Sequence, residues 1–82
     1  MKKQKLLEKI LAGSKNIRFE EFINLVEGFG FTLTRVRGSH HIFEHSAVPE
    51  LLNLQNHKGQ VKPYQVRQFL QLVEQYQLRL EE

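Results

Sequence analysis

Three of the four histidines in this chain, His40, His41 and His45, fall within six positions, and His57 follows one loop and one strand later. An imidazole titrates near neutrality, with an ordinary pKa of ~6.5, so it can both take up and return a proton. Arg35 and Arg37 lie just before the cluster, and guanidinium groups suit the oxygens of a phosphate. These residue types could cut RNA without a metal. A side chain takes the proton of a ribose 2′-hydroxyl as that oxygen attacks the neighbouring phosphate, and a proton is supplied to the leaving 5′-oxygen. The arginines offset the charge that develops, while Gly38 and Ser39 keep the approach uncrowded. Proton transfer of this kind typically contributes ~10²- to 10⁴-fold in rate.

Plainer roles stand beside this one. His41 and His45 read as ordinary strand residues, Arg35 and Arg37 as solvated strand positions, and Lys58 and Lys62 as the flanks of a turn. A zinc site would have to draw on His40, His41, His45 and His57, but adjacent strand residues point to opposite faces. There is also no Cys, or well-spaced acid, to complete a tetrahedron. Neither a metal nor any other cofactor is therefore expected.

The elements that must hold these residues are marked by periodicity. Leu6, Leu7, Ile10 and Leu11 share one side of a short helix over 3–12, with Gly13 as its left-handed stop. Phe19, Phe22, Ile23, Val26 and Phe29 recur at helical spacing, and Gly28 and Gly30 bracket the end of that second helix. From Phe31 the period becomes two. Residues 31–37 read as a strand, Gly38-Ser39 as a hairpin turn, and 40–45 as a second strand. Ser46 to Glu50 reads as a loop, 51–56 as a third strand, and 56–60 as a further turn. Pro63 opens a long closing helix with Val66, Phe69, Leu70, Val73, Gln77 and Leu80 on one stripe.

Three short strands between helices predict an α+β domain: an antiparallel sheet with the helices on one face and the other face open. Alternation sets His40, Ile42 and Glu44 on one side of the second strand and His41, Phe43 and His45 on the other. Phe43 belongs with the helices, so His40 faces the open side unless a bulge at Gly38-Ser39 moves the register by one.

Composition sets the outer bounds. Eighty-two residues suffice for a single domain. Glu8 and Lys9 interrupt what would have to be the apolar stretch of a signal peptide, so a cytoplasmic protein is expected. No apolar run approaches the ~20 residues of a membrane span, so no membrane partner is expected. The net charge of +3 is unevenly spread: residues 1–18 hold six bases and one acid, 19–30 hold three acids and no base. Residues 31–63 carry Arg35, Arg37, Lys58 and Lys62 with all four histidines, against Glu44 and Glu50 alone. A basic middle beside an acidic helix is consistent with a polyanionic partner.

Gly38-Ser39-His40-His41-Ile42-Phe43 resembles the signature of the HicA, or YcfA-like, family. The entry Gly28-Phe29-Gly30-Phe31, the run from Leu51 to His57, and the stretch from Lys62 to Leu70 are also similar to family features, for a coverage of roughly 17–77. The resemblance implies a fold like the double-stranded RNA-binding domain, helix, three-stranded antiparallel sheet, helix. It implies a toxin of a toxin-antitoxin pair, a ribonuclease that degrades mRNA and arrests growth until a HicB-like antitoxin covers it, with room for an oligomer built through the antitoxin. The catalytic histidine of the family follows the Gly-Ser pair, which here is His40. The candidate RNA-contacting set is Arg35, Arg37, Ser39, His41, Lys58 and Lys62, and His57 matches a second histidine without an assigned role. Two departures stand out: an extra N-terminal helix, making 1–14 an accessory to a domain of 1–82, and Ser46 to Glu50 in place of an acidic-Gly turn.

Three functions follow: a metal-independent endoribonuclease, a non-catalytic RNA-binding module of the same fold, and a protein-binding member that contacts an acidic partner.

Overall fold

The computed structural model describes residues 2–81. The order of elements is α1 (Lys3–Leu11), α2 (Phe19–Gly28), β1 (Thr32–Arg37), β2 (His40–His45), β3 (Val48–Gln55) and α3 (Pro63–Gln75). Helix α1 stops at Ala12, where Gly13 takes φ 88° and lets the chain turn away. Helix α2 starts with Glu20 and Glu21 in its first turn, where the helix dipole favours negative charge. Pro63 opens α3 at a position whose missing N–H would have had no helical partner in any case. No helix among the described residues is long and apolar enough to cross a membrane.

The three strands form one antiparallel sheet in the order β1-β2-β3. Gly38-Ser39 makes a two-residue turn, with Gly38 at φ 60° and Ser39 outside the left-handed region, the pattern of a type II′ hairpin. Arg37 then faces His40 and Arg35 faces Ile42 across the ladder. The register breaks at Thr34, an extra residue in β1 whose hydroxyl donates to the Ile42 carbonyl at 3.2 Å. That bulge decides which face each β1 side chain joins. Leu33 pairs with buried Phe43 on the helix side, whereas Arg35 and Arg37 pair on the open side. Unbroken alternation would have put all three on one face.

The helices cover the face that carries Phe43, Leu52 and Leu54, each with no exposed surface. Phe69 of α3 is the hub. It takes the edges or faces of Phe22, Phe29 and Phe31 at centroid distances of 5.4, 5.4 and 6.0 Å, the arrangement that ring quadrupoles favour. Phe31 is thus a core residue just ahead of β1 rather than the first residue of that strand.

Three expectations need correction. Ser46 to Glu50 is not a loop: the β2–β3 turn is Ser46-Ala47 alone and β3 begins at Val48, not Leu51, and ends at Gln55. Pro49 is tolerated there because the pairing skips from His45↔Val48 to Phe43↔Leu52, so the proline sits in an irregularity where no ladder N–H is demanded. The closing helix does not run to Leu80. It ends at Gln75, Gln77 takes φ 52°, and the chain folds back until the Glu81 N–H reaches the Gly28 carbonyl at 2.7 Å. Leu78 and Leu80 still pack on the core, but from this returning tail. In α1, Leu6 and Ile10 are buried while Leu11 is 66% exposed, so the apolar stripe of that helix is narrower than its sequence suggests.

Candidate functional site

His40 is the first residue of β2, exposed on the open face. Opposite it on one side stands Arg37, and on the other Gln55. Its Nδ1 lies 3.2 Å from Oδ1 of Asn53, one step diagonally along β3. Arg35, Arg37, His40, Ile42 and Asn53 together line a shallow depression of about 310 Å³. Among the described residues no acid lines it, so two guanidinium groups dominate its field, and Ile42 gives its floor an apolar patch. Such a surface suits an anion that carries a flat apolar group, and its imidazole can exchange a proton with whatever docks there.

Alternation in β2 holds as read: the pairing is regular through Gly38-Ser39, and the bulge lies at Thr34 in β1. His41 turns to the helices. It is half-buried, its ring edge-on to Phe19 at 4.8 Å, and its Nδ1 is 3.3 Å from the Ser39 carbonyl. His45 lies on the same side, beside Phe31 at 5.0 Å, with Nδ1 accepting from the Ala47 N–H at 2.9 Å and Nε2 donating to the Phe29 carbonyl at 3.1 Å. The cluster in the sequence is therefore dispersed in space: one imidazole for the open face and two for holding the hairpin to α2.

Of the other candidates, Ser39 sits in the turn beside His40, its hydroxyl receiving the Gln55 amide at 3.4 Å. His57 and Gln60 exchange both backbone hydrogen bonds around Lys58-Gly59, so His57 is an exposed residue of a separate tight turn. Lys58 occupies φ 51° in that turn, and Lys62 is the residue ahead of α3. None of these three lines the depression around His40. Among the described residues, no group of three His, Asp or Glu side chains is placed to hold a metal ion. Alternation already sets Ile42 on the face of His40, but Asn53 escaped sequence reasoning. Asn53 could be matched to His40 only once the start of β3 and its irregular pairing were known.

The fold, the hairpin and the position of His40 after Gly38-Ser39 all lie within a segment with known kin. Residues 19–75 match the family described as HicA toxin of bacterial toxin-antitoxin, a span that takes in α2, the whole sheet and α3 and leaves α1 outside. No curated protein and no solved structure matches the chain. A family match over well over half of the residues, on a helix, three-stranded sheet and helix, settles the relationship: the chain belongs to the HicA family, the toxin side of bacterial toxin–antitoxin pairs.

Proposed function

We propose that the protein is a metal-independent endoribonuclease that cuts mRNA with His40 as its general acid-base, and that a HicB-like antitoxin silences it by covering the open sheet face. The observation that carries this reading is the placement of His40: an exposed imidazole between Arg35, Arg37 and Asn53, in a depression that no acid among the described residues lines. RNA would lie along the open face with one phosphate against Arg35 and Arg37. His40 takes the 2′-hydroxyl proton as that oxygen bonds to phosphorus. The P–O5′ bond then breaks, and the 5′-oxygen leaves with a proton returned by the imidazolium or by water. The products are a 2′,3′-cyclic phosphate and a 5′-hydroxyl. Lys58 and Lys62 extend the basic surface along the strand of RNA, 1–14 serve as an accessory to one domain, and the site of action is the cytoplasm.

The test is cleavage of an mRNA by purified protein with a chelator present, compared with His40→Ala. Loss of cleavage and of growth inhibition, with RNA binding and thermal unfolding close to wild type, is the expected result. Cleavage retained by a clean His40→Ala preparation sinks the assignment. RNA that binds but stays intact with the unaltered protein identifies a non-catalytic binding module instead.

A further inference from the structure

We infer that Asn53 is a positioning residue for His40: its side-chain oxygen accepts the hydrogen on Nδ1 and leaves Nε2, bare of hydrogen, as the nitrogen presented to the open face. The inference rests on the ribonuclease reading for its consequence in catalysis, but not for the tautomer it assigns. An amide oxygen can only accept, so an Nδ1 facing Oδ1 at 3.2 Å carries the hydrogen and Nε2 keeps its lone pair. An exposed histidine with no such partner exchanges between two tautomers, and only one has a basic nitrogen at the outer position.

The placement of Asn53 is built rather than incidental. Across the ladder Asn53 opposes Ile42, while the residue opposite His40 is Gln55, whose amide turns away to the Ser39 hydroxyl. Meanwhile the Asn53 backbone is anchored from the other side, its carbonyl held by the buried side chain of Gln65 in α3. A run of hydrogen bonds thus connects a helix in the core to the one imidazole on the open face. The neutrality of asparagine matters too. A carboxylate here would fix the same tautomer but would place a negative charge beside the two guanidinium groups of the depression, against an incoming phosphate.

Three variants and two readouts test this. Long-range ¹H–¹⁵N NMR of the His40 ring, recorded where the imidazole is neutral, should show hydrogen on Nδ1 in the unaltered protein. Asn53→Leu should lose that preference, and Asn53→Asp should restore it. In RNA cleavage, Asn53→Leu should lower kcat about tenfold, the order that one hydrogen bond carries, with KM nearly unchanged. Asn53→Asp should recover kcat in part while raising KM and making it less dependent on salt, because the added charge offsets one of the arginines. Hydrogen on Nε2 in the unaltered protein, or an Asn53→Leu spectrum identical to wild type, overturns the inference. If the spectra behave as expected but the unaltered protein does not cut RNA, the tautomer assignment stands and the ribonuclease reading falls. His40→Ala serves as the reference that assigns the ring signals.

Discussion

Gln65 of α3 grips Asn53 of β3 by its backbone: the Gln65 amide nitrogen donates to the Asn53 carbonyl at 3.3 Å, and the same side chain accepts the Gln55 N–H at 3.1 Å. Among the described residues Gln65 is the one buried polar side chain, 4% exposed. Its primary amide reproduces the donor and acceptor spacing of a neighbouring strand, so the outer edge of β3 is closed by a side chain instead of by a fourth strand. Gln65→Met fills similar volume but leaves both backbone groups unmatched. It should destabilise the fold by about 1–3 kcal/mol, the range for stranded buried polar groups, with a proportionate fall in urea midpoint. An unchanged midpoint would mean that water serves those groups equally well.

His45 and His40 should separate cleanly in stability measurements. His45 ties the β2–β3 turn to the end of α2 through two hydrogen bonds, accepting at Nδ1 and donating at Nε2. His45→Ala should cost about 1–3 kcal/mol, whereas exposed His40→Ala should stay within about 0.5 kcal/mol of the unaltered protein. Gly30 belongs to the same contact. It has φ 96°, and a Cβ there would sit 2.8 Å from Nε2 of His45, so Gly30→Ala should be destabilising by both backbone strain and displacement of the ring. Thermal unfolding of the three variants checks the order, and a His40→Ala protein as unstable as His45→Ala would contradict it.

Much of this arrangement was legible in the sequence because it rests on short-range rules. A Gly-Ser pair between alternating runs fixes a two-residue hairpin, and once Phe43 is assigned to the core, His40 must face outward and His41 and His45 inward. What escaped depends on partners distant in the chain. The bulge at Thr34 is stabilised by a bond to Ile42, eight residues away, and nothing in Thr32-Leu33-Thr34-Arg35 announces it. Yet it is what separates Leu33 from the two arginines. Pro49 makes residues 46–50 read as a loop, but an edge strand absorbs it at an irregularity in the pairing, so β3 starts earlier than proline alone suggests. At the end of the predicted stripe, Leu80 packs against the core whereas Gln77 is exposed. The helical interpretation fails because the tail returns to Gly28 and brings Leu80 to the core by a different route.

Stability should also fall at high pH through Tyr76. Its hydroxyl donates to Oε1 of Glu50 at 2.6 Å, joining the end of α3 to the irregular stretch of β3. That hydrogen bond, followed by burial and then the negative charge of Glu50, holds the phenol above its ordinary value of 10.0. The protonated phenol is the form that the fold favours. Its contribution is therefore complete below pH 10 and is lost as pH rises through the raised value. In thermal unfolding between pH 8 and 11, the gap between the unaltered protein and Tyr76→Phe should close as pH increases. A gap that is constant over this range would assign Tyr76 a packing role only.

Arg35 and Arg37 should act on RNA affinity additively and without preference for sequence. Both reach the open face because of the bulge at Thr34, and both line the depression with His40. If each neutralises one phosphate, Arg35→Ala and Arg37→Ala should each weaken binding across unrelated RNA sequences. Each should also reduce the slope of log affinity against log salt by about 1. Deleting Thr34 gives a sharper version of the same test. Removing the extra residue restores unbroken alternation, which places Leu33 on the open face or turns the arginines toward the helices. Binding should fall if the arginines turn toward the helices, even though no basic residue has been removed. Equilibrium titrations of RNA at several salt concentrations measure all of these. Unaltered salt slopes in both single variants would show that RNA passes elsewhere on the protein.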